Sequence, residues 1–64
     1  MTLKDIVEVL WFDTRIILID SEEEIYAGQL GCLPFKHFAQ NKDKQVKNIS
    51  IKRRGDLDYE VIQL

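Results

Sequence analysis

The sequence predicts a small α+β fold: a helix, a β-hairpin, a short helix and a second hairpin, with a mainly antiparallel sheet. Three observations point there. Apolar residues recur at helical spacing near the amino end, extended runs rich in β-branched residues are punctuated by polar turns, and a Leu33-Pro34 step separates the two hairpins. With 64 residues the chain is expected to form one domain, residues 1–64, with a thin core.

Leu3, Ile6, Val7 and Leu10 fall at i, i+3, i+4 and i+7, while Lys4, Asp5 and Glu8 lie off that stripe. A helix over about 3–11 follows, with Trp11 continuing the buried stripe. Thr2 and Asp5 approximate a capping box, the aspartate standing where glutamate is commoner. So short a helix does not persist alone, so it must dock on a sheet.

Residues 15–19, Arg-Ile-Ile-Leu-Ile, are apolar on both parities, so both faces of this strand should be covered. One face can take the helix. The other calls for the second helix or another subunit, which makes a homo-oligomer the expectation. Residues 20–24 form a polar turn and residues 25–30 the returning strand, where Gly28 marks a bulge or a close approach. Pro34 suits a helix start, and Phe35, Phe38 and Ala39 share a face over 34–40, with Lys36, His37 and Gln40 off it. Residues 46–52 and 59–64 complete the second hairpin around Arg54-Gly55-Asp56.

Catalysis finds little purchase. A Cys/His nucleophilic pair needs Cys32 and His37 in contact with an orienting group, yet Cys32 sits at a strand end, where a small buried thiol is expected, and His37 lies on the polar side of its helix. Asp20 and Glu22 to Glu24 lack the alternate spacing and the glycine of a calcium loop, and no glycine-rich phosphate loop precedes a helix. The expectation is therefore no enzyme, no cofactor and no metal, with a single cysteine excluding an internal disulfide. The first residues carry an acid and no basic run, and no stretch approaches the roughly 18 apolar residues of a membrane span. A cytoplasmic protein without a membrane partner is the simplest expectation.

Binding is where the sequence has material. Residues 1–32 hold two bases against seven acids, net −5, and residues 33–64 hold seven bases against four acids, net +3. Lys36, Lys42, Lys44, Lys47, Lys52, Arg53 and Arg54 face only Asp43 within 36–54, and Lys52, Arg53 and Arg54 could grip phosphate. Tyr26 and His37 could line such a site. Trp11 and Phe12 are candidate interface anchors, with Phe12 the more exposed because it lies off the helix stripe.

The succession Val9-Leu10, Ile17-Leu18-Ile19-Asp20, Ile25-Tyr26-Ala27-Gly28, Leu33-Pro34, residues 46–51 and Val61-Ile62 resembles small uncharacterised accessory proteins of phages and mobile elements of Gram-positive bacteria. The resemblance implies a non-enzymatic protein that sequesters or blocks a component of host defence or regulation, either a host protein or an anionic nucleotide signal, as an oligomer. It carries no catalytic residues. A second resemblance covers only the middle: residues 17–20 to 28–30 look like the first motif of Sm-like RNA-binding proteins, which implies a nucleic-acid module using the basic 36–54 face. The second Sm motif is not found, and the 35–40 helix has no place in that barrel.

Overall fold

The computed structural model describes all 64 residues. In chain order its elements are α1 (Leu3–Val9), β1 (Arg15–Asp20), β2 (Glu23–Gln29), a 3₁₀ turn (Leu30–Cys32), α2 (Phe35–Asn41), β3 (Asn48–Arg54) and β4 (Leu57–Gln63). The α+β class and the helix–hairpin–helix–hairpin order are as the sequence predicts.

The start of α1 shows how a helix of two turns is held. The amide donors of Thr2, Leu3, Lys4 and Asp5 have no partner in the helix ladder, which begins with the Ile6 N–H. The Leu3 N–H donates to the Lys44 carbonyl (3.1 Å) and the Lys4 N–H to that of Lys42 (3.0 Å). The Asp5 N–H donates to Thr2 Oγ1, and the Ile6 N–H to the Thr2 carbonyl. The Asp5 carboxylate in turn accepts from the Thr2 N–H, completing the capping box. These bonds to Thr2 hold the Asp5 carboxyl below its ordinary range. The loop after α2 thus caps the helix that begins the chain.

The four strands form one sheet in the order β2-β1-β4-β3. β1 and β2 are antiparallel, β3 and β4 are antiparallel, and the two hairpins join through a parallel β1–β4 pair that sets Ile17 against Val61 and Leu18 against Ile62. Nothing in the residue pattern announces this parallel joint, because the order in which hairpins dock is a tertiary choice. On one face Ile16, Leu18 and Ile62 pack with Leu3, Ile6, Leu30 and Leu64 to make the core.

The other face carries Ile17, which is only 1% exposed although it lies outside the core cluster that α1 joins. Register explains this. Glu24 aligns with Ile19, Ile19 with Gln63 and Gln63 with Asn48, so in a flat sheet Arg54 would lie three strands across and six residues along from Glu24. At about 4.8 Å between strands and about 3.3 Å per residue that is roughly 25 Å. Yet Arg54 Nη2 meets Glu24 Oε1 at 2.9 Å. The sheet must curl until its two edges approach over Ile17, with Val61 and half-buried Tyr59 beside it and Arg54 over the Tyr59 ring at 5.9 Å. Both faces of β1 are covered, as expected, but the second cover is the sheet's own curl. The doubly apolar strand therefore demands no second subunit.

Several boundaries shift. α1 ends at Val9, and Leu10 is extended with φ −92° and ψ 153°, so Trp11 leaves the helix stripe. β2 begins at Glu23, and the β1–β2 turn is only Ser21 and Glu22, with φ 53° and 66°. Two consecutive non-glycine residues in the left-handed region are costly for L side chains. The ladder irregularity lies between Leu18 and Ile19, opposite Ile25, and not at Gly28. At Gly28 the close approach is real: with φ 152°, a Cβ there would lie 2.9 Å from the Tyr26 hydroxyl, which reaches over it to donate to the Gln29 carbonyl at 2.6 Å.

Two outcomes are expected. Replacing the turn by Ser21→Asn with Glu22→Gly, the pair that suits a two-residue hairpin, should stabilise the fold by about 1 kcal/mol and raise Tm by several degrees in a thermal melt. The Arg54 hydrogen bond lowers the Glu24 carboxyl below its ordinary value of 4.5, so its contribution is present above that pH and is lost on acidification. Glu24→Gln should therefore lose less stability than the parent between neutral and pH 4, read as the difference in urea midpoints.

Candidate functional site

The most unusual surface lies where α1 ends and α2 begins. Trp11, Phe12 and Phe35 are 80%, 82% and 79% exposed, and Val9 beside them is also bare. Trp11 stands out because the helix stops at Val9. Phe12 is pinned through its backbone, its carbonyl accepting from the Gly31 N–H at 2.8 Å, which sets it against the turn leading to Leu33 and Phe35. A Cβ on Gly31 would lie 3.2 Å from that carbonyl oxygen, so a glycine suits the approach.

Between the helices runs a groove of about 190 Å³ lined only by Val7, Leu30, Leu33, Phe35 and Phe38. The sequence expects Trp11 to pack with the helix stripe, and that expectation fails; the face that Phe35, Phe38 and Ala39 share on α2 is for the most part left open. Phe38 is half-buried, Ala39 and Phe35 are exposed, and the buried residue of α2 is Asn41, whose Nδ2 donates to the His37 carbonyl at 2.7 Å. A helix of two turns between Pro34 and the loop that caps α1 can turn only one narrow stripe inward, and the cap selects the Asn41 side. The three rings together expose on the order of 400–600 Å² of apolar surface.

The other candidates are scattered. Tyr26 is committed to Gln29, and burial, with a smaller contribution from Cys32, raises its phenol above the ordinary value. His37 is half-buried on α2. Cys32 is exposed, against the expectation of a buried thiol, because the strand gives way there to a 3₁₀ turn on the surface.

The basic segment is partly neutralised by acids that the fold brings from elsewhere. Arg54 pairs with Glu24, Arg53 Nε lies 3.7 Å from Asp58 Oδ1, and Lys44 pairs with Asp20. Lys52, on the curled face opposite Tyr59, is not gathered with Tyr26 or His37 into one cavity. A second hollow, about 210 Å³, sits at the carboxyl ends of β1 and β4 and is lined by Ile19, Ser21, Glu22, Lys47, Gln63 and Leu64. No group of three or more His, Cys, Asp or Glu side chains converges. No helix is long and apolar enough to cross a membrane.

No protein-family model, curated protein or solved structure matches the chain, so its site must be read from its own residues.

Trp11 is the single tryptophan and reports on this face directly. Its fluorescence should already resemble that of a solvated indole in the folded state, with efficient acrylamide quenching and little shift on unfolding. A blue-shifted, protected emission would contradict the exposed placement.

Proposed function

We propose that this chain is a non-catalytic binding module that acts stoichiometrically, by pressing the aromatic face around Trp11, Phe12 and Phe35 onto a protein target and so blocking it. The observation that carries this reading is three bare rings, one of which, Phe35, lines an all-apolar groove. Large rings lose little side-chain freedom on binding and bury much area, so they serve as anchors where an interface centre is desolvated. A groove of about 190 Å³ has room for an apolar side chain from the partner, while Lys36 on α2 and Glu8 and Asp13 nearby in the chain supply a polar rim.

Blocking by occupancy needs a complementary surface and no reacting group. That reading agrees with the accessory role in phages or mobile elements that the resemblance implies. Capture of an anion or nucleic acid is less well supported, since Arg53, Arg54 and Lys44 are held by acids of the same chain.

A photo-crosslinking residue at Phe35, with irradiation in host extract, tests the proposal. One adduct with a single host protein is expected, competed by unlabelled chain and lost on Trp11→Ala. Adducts with nucleic acid would overturn it, as would oligonucleotide binding that falls steeply with salt and survives loss of the three rings.

A further inference from the structure

The helices cover only part of one sheet face. β3 is an edge strand, and all seven of its residues are exposed. Its register sets Ile49 opposite Ile62 and Ile51 opposite Glu60, which places both isoleucines on the face that carries the core. They are nevertheless 45% and 66% exposed, because the helical layer stops short of the edge. A strand with an open row of N–H and C=O groups and two uncovered β-branched side chains is a template for another strand.

The pattern selects the mate. We infer that β3 pairs antiparallel with β3 of a second copy about a two-fold axis at Ser50, making one eight-stranded sheet. Centred there, Ile49 of each copy faces Ile51 of the other, and Asn48 faces Lys52. Centring on Ile49 would set Ile51 against Lys47, and centring on Ile51 would set Ile49 against Arg53. Only the Ser50 register matches apolar with apolar in both directions. Lys47 and Arg53 then meet at the two ends of the pairing, where long side chains can part into solvent and Arg53 has Asp58 beside it.

The charge asymmetry of the sequence suggests a different joint, with the basic β3 edge against the acidic β2 edge of the next copy. The topology weighs against it. β2 and β3 run in the same direction, so copies in one orientation would pair them in parallel and set residues 50–52 level with 27–29, with Arg53 and Arg54 past the end of β2 and away from Glu23 and Glu24. The β2 edge is also interrupted by the irregularity opposite Ile25 and by Gly28 at φ 152°. In the β3 dimer both helical layers lie on one side of the sheet, so two aromatic faces look the same way. The dimer does not depend on what those faces bind.

Sedimentation or light scattering at micromolar concentration should report twice the 7.5 kDa chain mass. Ile51→Lys should weaken the dimer at least about tenfold while leaving the circular dichroism and melting of the monomer in place. Ser50→Cys in a Cys32→Ser background should form an interchain disulfide on mild oxidation, since facing Cα atoms about 4.5–5.5 Å apart fit that bond, whereas Asp56→Cys in the turn should not. Trp11→Ala with Phe35→Ala should leave the dimer intact, which separates this joint from the target-binding face. A monomer throughout the micromolar range would overturn the inference, as would an Ile51→Lys dimer that persists without the Ser50→Cys crosslink. If Ile51→Lys fails to fold, the crosslink decides alone.

Discussion

The parallel pairing of residues 16–19 with 60–63 is the contact from which the rest of the chain hangs. It joins two hairpins that would each be marginal alone into one sheet, and it puts the most apolar strand at the centre, with neighbours on both sides. Because β1 and β4 are both central, Ile16, Leu18 and Ile62 turn one way to receive α1, and Ile17 and Val61 turn the other. Parallel strands need a long crossover between them, and that crossover contains α2. The loop leaving α2 supplies the carbonyls of Lys42 and Lys44 that cap α1. The ends of the sheet and the ends of the helices are therefore fixed by the same docking event.

A 64-residue chain has too little material to cover both faces of a sheet with helices. This one covers the second face by bending. The curl buries Ile17 and carries Arg54 to Glu24, although such an exposed pair adds little by itself and marks the closure more than it drives it. The same shortage leaves surface bare elsewhere. With α1 ending at Val9 and α2 committed on its Asn41 side, Trp11, Phe12 and Phe35 have nothing left in the chain to pack on. β3 lies beyond the reach of either helix, so Ile49 and Ile51 stay open.

These two bare regions divide the work proposed here. The aromatic face has depth, rings and a polar rim, which suit a specific protein target. The β3 edge has a self-complementary run about Ser50, which suits a second copy. A dimer carrying two aromatic faces on one side would gain avidity against a repeated or symmetric target without any further contact.

Local chemistry was enough to read the elements. The stripe Leu3, Ile6 and Val7, the Thr2–Asp5 capping box, the β-branched run at 15–19 and the turn at Gly55 each depend on neighbours a few residues away, and each forms as its residues dictate. The candidate site was legible only in part. Phe12 could be read as exposed because it stands off the helical stripe, but Trp11 and Phe35 were indistinguishable from core residues, since periodicity records where a side chain points along a helix and not whether anything lies opposite. Charge was misleading for a related reason: the basic run at 36–54 looks unopposed until the fold brings Asp20, Glu24 and Asp58 to it. What the sequence by itself determined is the set of helices, strands and turns. The parallel joint, the curl, the partner of each charge and the bareness of the rings were decided only by the tertiary structure, because each depends on contacts between residues far apart in the chain.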